Sequence, residues 1–181
     1  IVEIFIEPLG SPTVNIFGAG HIARQLAPLV EMVGMKCVIS DDRPLFASSE
    51  HFPSSSEVIV SDYEKCFDEL PISPASYVVI VTRGHKYDHL VLSKAIKTTA
   101  GYIGLIGSKP KIARIYKMLR EEGVTQDRLD EIHAPIGLDI GSRTPEEIAI
   151  SIVAELVAHR RKAYLTGKGR RLGKADEVTI A

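Results

Sequence analysis

The stretch Thr13-Val-Asn-Ile-Phe-Gly-Ala-Gly-His-Ile-Ala-Arg24 decides the fold. Five strand-like residues lead into the pattern G-x-G-x-x-A, and a segment of helical period follows at once. This order matches a dinucleotide-binding fingerprint: Gly18 permits the tight turn, and Gly20 lets the backbone approach a phosphate. The N–H groups at the start of the helix suit an anion. We expect a nucleotide-like or phosphorylated ligand here, and the alternative is a purely structural turn.

Outward from this turn, short apolar runs alternate with segments of helical period. The strand-like runs are residues 13–17, 36–40, 57–60, 77–81 and 102–106, and the helical segments are residues 22–33, 63–70, 89–96 and 109–122. Such alternation implies crossover connections and a parallel sheet. We predict an α/β fold over residues 11–165, a Rossmann-like three-layer αβα domain with a mainly parallel sheet.

The ends of the chain are predicted separately. Thr144, Pro145 and Glu147 form a capping box for a last helix, whose apolar stripe should pack on the sheet. Residues 1–10 are interpreted as a remnant strand or linker from an upstream domain. Residues 166–181 are glycine-rich and basic without periodicity, so we expect a mobile tail.

Composition narrows the function classes. The 181 residues carry 22 Lys+Arg against 23 Asp+Glu, a net charge of −1, so no overall field draws the chain to nucleic acid or a membrane. The sequence shows no apolar run of about 18 residues and no signal peptide, which predicts a cytoplasmic protein. Cys37 and Cys66 are too few for a disulfide framework and are interpreted as core residues.

Polar residues follow the predicted strands. Asp41 and Asp42 end the second strand, where a ribose-binding acid would sit, although Arg43 leaves the choice between plain and phosphorylated ribose open. Residues 82–88, Thr-Arg-Gly-His-Lys-Tyr-Asp, follow the fourth strand, and we expect them to face the glycine turn. Their Arg83, Lys86 and His85 can bind an anion or exchange protons, and Asp88 can cap the next helix. A solvated polar loop is the alternative.

The fifth predicted strand is also followed directly by polar and cationic residues. Ser108 can cap a helix whose first turn holds Lys109 and Lys111, an arrangement that the helix dipole opposes unless a polyanion binds. Solvent-screened lysines are the alternative.

His21, His85 and His133 could approach one another, yet no carboxylate or second histidine stands at ligand spacing, so we predict no metal site.

Together these motifs resemble one family. The motifs are G-A-G-H-I-A, D-D-R-P, V-T-R-G-H-K-Y-D, I-G-S-K-P-K and H-A-P-I-G-L-D-I-G-S-R-T-P-E-E-I-A. In this order, over about residues 8–165, they are similar to the C-terminal Rossmann-type domain of the xanthine dehydrogenase accessory (XdhC/CoxI) family. Members of that family also have an N-terminal domain with a cysteine-glycine motif. Residues 1–9 look like the last strand of that domain, so the chain is interpreted as a fragment or a Rossmann-only relative.

The resemblance implies a maturation chaperone rather than an enzyme. Such a protein binds the molybdenum cofactor (molybdopterin), protects it while a cysteine desulfurase helps to install the terminal sulfur, and delivers it to a molybdenum hydroxylase such as xanthine dehydrogenase. The ligand-facing residues that it implies are Gly18, Gly20, His21, Asp41, Asp42, Arg83, His85, Lys86, Ser108, Lys109, His133 and Asp139.

Two other functions stay open at this stage. The glycine turn and the paired acids also suit an NAD(P)-dependent oxidoreductase, although the predicted Rossmann unit leaves little chain to bind a substrate. A nucleotide-sensing regulatory module would instead use the apolar stripe of the last helix as a partner interface. A homodimer is compatible with all three functions.

Overall fold

The computed structural model describes residues 12–52 and 57–161, together with the backbones of residues 165–166 and 171–172. The predicted strand at residues 1–10 and most of the predicted tail lie outside the described residues. The strands are β1 (Thr13–Phe17), β2 (Lys36–Asp41), β3 (Glu57–Val60), β4 (Ser76–Ile80), β5 (Tyr102–Leu105), β6 (Leu165–Thr166) and β7 (Arg171–Leu172). The helices are α1 (His21–Met32), α2 (Cys66–Glu69), α3 (His85–Ala95), α4 (Lys109–Glu121), α5 (Gln126–Asp130) and α6 (Pro145–Arg160).

Strands β1 to β5 form one parallel sheet in the order β3-β2-β1-β4-β5, and β6 and β7 pair separately in antiparallel fashion. In β1, Phe17 is in register with Ser40 of β2 and with Ile80 of β4. All five strands therefore end at the same side of the sheet, which we call the carboxyl edge. Past β5, the His133 N–H donates to the Ile103 carbonyl at 2.9 Å, which adds a short extended segment beside that strand.

Two apolar cores lie on the two faces of the sheet. Helices α1 and α6 pack on one face, and helices α2, α3 and α4 cover the other. The three layers confirm the predicted Rossmann-like fold. On α6, Ala149, Ile152 and Leu156 are all buried, because this helix packs along α1 and the sheet. The stripe is thus part of the core, which removes the main support for a partner interface there.

The sequence misplaced some helix boundaries. Helix α3 begins at His85 rather than at residue 89, because Gly84, at φ 81°, turns the chain directly into the helix. Helix α2 has only 4 residues, and the short helix α5 was not predicted. Both are too short to show a helical period, so their positions depend on packing.

The two cysteines are buried, as predicted. Burial raises the pKa of the Cys66 thiol to about 12, so it stays protonated and unreactive at neutral pH. Among the helices of the described chain, none has the length and apolar character that crossing a bilayer requires.

The capping box of α6 gives a test of local stability. The Thr144 hydroxyl accepts from the Glu147 N–H, and the Glu147 carboxylate accepts from the Thr144 N–H at 3.1 Å. Replacing Thr144 with alanine should lower the free energy of unfolding by about 1 kcal/mol, measured by urea denaturation. Thr125→Ala is the matched control, because Thr125 stands at the N-cap of α5 without a side-chain cap. Equal losses in the two variants would contradict the prediction.

Candidate functional site

The glycine turn after β1 is held between two strand ends. Gly18 has φ 109° and donates its N–H to the Ser40 carbonyl at 2.8 Å. A Cβ at Gly18 would lie 2.5 Å from the Val81 carbonyl oxygen, so this position requires glycine for its φ and for its close packing. A Cβ at Gly20 would meet nothing within 4 Å, so the space in front of the first residues of α1 is open.

The Asp41 carboxylate fixes this turn from the neighbouring strand. It is fully buried and accepts from the Ala19 N–H at 2.7 Å, from the Arg43 N–H at 3.0 Å and from the Arg43 guanidinium at 2.8 and 2.9 Å. Burial alone would raise its pKa, but the bonds from Arg43 and Ala19 outweigh burial and lower it. Asp41 therefore positions the turn, and its predicted contact with a ligand stays a prediction.

Asp42 and Arg83 form an ion pair at the carboxyl edge. Arg83 Nη2 donates to Asp42 Oδ2 at 2.7 Å and to the Tyr87 hydroxyl at 3.2 Å. The two residues follow β2 and β4, so the ion pair spans the end of β1. Arg43, bound to Asp41, also lies over the Phe46 ring at 3.8 Å. The paired acids predicted to bind a ribose are both engaged within the chain.

Helix α3 brings His85 and Lys86 to the carboxyl edge, where both are exposed in its first turn. The sequence predicted Asp88 as a possible cap of this helix, and the structure does not show that. Gly84 is the N-cap residue, and no side chain caps the helix. The Asp88 carboxylate is buried instead, accepts from the Thr82 hydroxyl at 2.7 Å and forms an ion pair with Lys111. This pair ties the start of α3 to the start of α4.

Helix α4 begins without a side-chain cap. Ser108 occupies the N-cap position, yet its side chain makes no cap bond, and Lys109 is exposed as the first helical residue. Ser108 and Lys109 also line an open hollow of about 600 Å³ beside the carboxyl edge. Its wall includes Ile136 and Ile148, and the predicted candidate Asp139 stands at its border. The hollow is of a size that binds small organic ligands.

His133 lies apart from these residues. Its ring packs on Tyr102, at the start of β5, with 4.4 Å between ring centroids, and its Nδ1 is 2.5 Å from Glu155 Oε1. His159 is next to it, and burial together with His133 lowers the pKa of His159. His133 thus faces a smaller cavity of about 270 Å³, which also borders Tyr102 and Arg128. The three histidines proposed as neighbours do not gather.

Sequence reasoning missed Glu155. This carboxylate is fully buried, contacts His133, and accepts from the Gly137 N–H in the loop that lines the hollow. The available signal was an acidic residue on the apolar face of α6, between Ile152 and Leu156. A buried acid in such a stripe indicates a fixed hydrogen-bond partner.

The structure places ten predicted residues at the carboxyl edge. They are Gly18, Gly20, His21, Asp41, Asp42, Arg83, His85, Lys86, Ser108 and Lys109. Asp139 lines the adjoining hollow and His133 lies elsewhere. Within residues 12–52 and 57–161 there is no group of three or more side chains suited to hold a metal ion.

The sheet order and the glycine turn after β1 define a Rossmann-type domain. Residues 14–156 match the XdhC Rossmann domain. The chain belongs to this family, which confirms the resemblance found in the sequence.

Two curated proteins and one solved structure are similar to the chain. It is 31% identical over 164 residues to the uncharacterized protein YqeB of Escherichia coli (strain K12), covering 90% of this chain and 30% of that protein. It is 30% identical over 157 residues to a probable xanthine dehydrogenase component of Bacillus subtilis (strain 168), covering 87% of this chain and 45% of that protein.

The structural relative is a crystal structure of a xanthine dehydrogenase from Bacillus halodurans. Its TM-score is 0.75 and its identity 31%, over 85% of this chain and 44% of that one. The chain therefore spans less than half the length of each of these three relatives.

Asp41 gives a prediction about pH. Because its folded pKa lies below the unfolded value, the carboxylate stabilises the fold above about pH 4, and this contribution is lost as the pH falls through the folded pKa. Asp41→Asn should lower the free energy of unfolding by about 2 kcal/mol at pH 7, and the gap from wild type should shrink below about pH 4.

Urea denaturation across this pH range measures the gap. The control is Asp127→Asn, because Asp127 is exposed on α5 and should change stability little. The difference in free energy of unfolding between wild type and Asp41→Asn could instead stay constant down to the acid transition. That result would show that the ionised carboxylate does not hold the turn.

Proposed function

We propose that this chain is the ligand-binding domain of an accessory protein for a xanthine dehydrogenase-type molybdenum hydroxylase. Its ligand is the molybdenum cofactor, a pterin that carries a phosphate. The phosphate binds at the carboxyl edge, and the pterin extends toward the hollow. The domain binds and protects the cofactor, and the molybdenum does its chemistry in the hydroxylase that receives it.

The start of three helices at one edge carries the proposal. Helices α1, α3 and α4 follow β1, β4 and β5 directly, and none has a side-chain cap. Helices α1 and α4 have no acid in the first turn, and the single acid of α3, Asp88, is paired with Lys111. Helix α6, by contrast, has a complete capping box. Open helix N-termini without competing acids favour an anion.

The charges around these helix ends suit a phosphate. His21, His85, Lys86 and Lys109 are all exposed there. The N–H groups supply directional hydrogen bonds, and the lysines supply positive charge. The chain as a whole is nearly neutral, with a net charge of −1, so this concentration of positive charge is local.

The hollow suits a flat polar ring. Its volume of about 600 Å³ is ample for a bicyclic heterocycle, and it combines apolar walls with the hydroxyls of Ser108, Ser142 and Ser151. Asp139 adds an acceptor for ring N–H groups. These residues therefore fit the proposed group without a protein metal ligand.

The geometry argues against the NAD(P) alternative. A dinucleotide places its adenosine ribose at the end of β2, where an acid accepts from the ribose hydroxyls. Here the Asp41 carboxylate is bound to Ala19 and Arg43, and Asp42 is bound to Arg83. A ribose bound by Asp41 would have to displace the hydrogen bonds that hold the glycine turn.

The partners are part of the proposal. Two relatives carry xanthine dehydrogenase in their names, which supports an association of this chain with such a system. We propose that a cysteine desulfurase supplies the terminal sulfur of the cofactor. Because the Cys66 thiol is buried and protonated, it is unsuited to carry that sulfur. A homodimer would present two carboxyl edges to these partners.

Titration with molybdopterin, released from a purified molybdenum enzyme and followed by fluorescence, tests the proposal. Lys86→Ala combined with Lys109→Ala should weaken binding about tenfold or more, because each removes a charge-assisted contact. The control is Lys36→Ala combined with Lys97→Ala, which removes the same charge from exposed positions at the opposite end of the sheet. NAD⁺ and NADP⁺ should bind more weakly than molybdopterin. Tighter binding of either nucleotide, or equal losses in the two double variants, would overturn the proposal.

A further inference from the structure

The Asp42–Arg83 ion pair lies at the carboxyl edge, where the proposed function puts the phosphate. Arg83 directly precedes Gly84, the N-cap residue of α3, and no side chain caps this helix. Asp42 directly follows β2. The 2.7 Å contact between them joins residues 41 positions apart, which follow the two strands on either side of β1. The guanidinium therefore already holds a carboxylate in the place where the site would hold a phosphate.

Few contacts hold the Asp42–Arg83 pair together. It rests on one N–H···O bond, and Asp42 Oδ1 has no hydrogen-bond partner among the described residues although it is shielded from solvent. The nearest other cation, the Arg43 guanidinium, is 3.8 Å from that oxygen. Arg83 remains 41% exposed, and exposed ion pairs contribute little to stability. A phosphate accepts two parallel N–H bonds from a guanidinium, so it is a better partner for Arg83 than this carboxylate.

Tyr87 gives Arg83 a contact that does not depend on Asp42. Its hydroxyl accepts from Arg83 Nη2 at 3.2 Å, and the guanidinium carbon lies 4.9 Å from the centre of its ring. Tyr87 belongs to the first turn of α3, next to the free N–H groups of that helix. Arg83 can thus change its anionic partner with a small movement of its tip.

We propose that Asp42 is a built-in competitor for the ligand's phosphate, and that binding proceeds by exchange of the Asp42 carboxylate for the phosphate on Arg83. The exchange makes Asp42 a residue that determines specificity: a ligand without a group able to replace the carboxylate leaves the pair closed. This inference rests on the proposed function, because it assumes a phosphate-bearing ligand at the carboxyl edge.

A double-mutant cycle separates this competition from simple charge repulsion. If Asp42 acts by holding Arg83, then Asp42→Asn should tighten anion binding only while Arg83 is present. If Asp42 acts through its negative charge alone, the same gain should appear with Arg83 replaced. Asp62→Asn is a matched control, because Asp62 is an exposed acid just past β3 at the same edge and does not contact Arg83.

The probe is inorganic pyrophosphate, titrated by calorimetry into the wild-type chain and the variants. Asp42→Asn should tighten binding about two- to fivefold, and Arg83→Gln should weaken it about tenfold. Adding Asp42→Asn to Arg83→Gln should give no further change, and Asp62→Asn should leave the affinity near that of wild type. Circular dichroism of each variant checks that it is folded.

The outcomes distinguish the two proposals. A gain from Asp42→Asn that persists in the Arg83→Gln background, or that Asp62→Asn reproduces, overturns the exchange and leaves the phosphate site standing. No gain from Asp42→Asn in a chain that binds pyrophosphate also overturns the exchange alone. Absence of binding by every variant, with molybdopterin as well as pyrophosphate, overturns the proposed function and the exchange together.

Discussion

The buried Asp41 carboxylate is the constraint on which the site depends. It joins the end of β2 to the turn after β1, because it binds the Ala19 N–H and is itself held by Arg43. Gly18 closes the turn from the other side by packing against the Val81 carbonyl at the end of β4. With the turn fixed on both sides, α1 starts in a set position and presents its unpaired N–H groups to the open space beyond the sheet.

The parallel sheet extends this arrangement to three helices. Strands β1, β4 and β5 each lead directly into a helix at the carboxyl edge, so the starts of α1, α3 and α4 lie side by side. The Asp88–Lys111 pair fixes α3 against α4, and it also withdraws from the edge the one acid in the first turns of these helices that would repel an anion. The exposed side chains at the starts of these helices include His21, His85, Lys86 and Lys109. This is the physical basis of the proposed phosphate site.

Much of the fold was readable from the sequence, because the deciding signals are local. The glycine pattern, the apolar runs and the capping box at Thr144 each involve residues close together in the chain. The residues at the carboxyl edge were also predictable, because the C-terminal ends of parallel strands lie at the same edge of the sheet. The location of His133 was not predictable from the sequence. It depends on backbone pairing with Ile103, which is 30 residues earlier in the chain, and no local sequence pattern indicates such a pairing.

The sequence by itself determined the α/β class, the strand–helix alternation and the set of charged residues that follow the strands, because these depend on periodicity and neighbouring residues. Only the tertiary structure decided which of those residues are free to meet a ligand. Asp41 is the last residue of β2 and Asp88 lies in the first turn of α3, yet both are fully buried and engaged in structural contacts, whereas His85 and Lys86 in the same turn are exposed. Such contacts depend on which side chains the fold brings within about 3 Å of one another, and that distance is set by packing between distant segments.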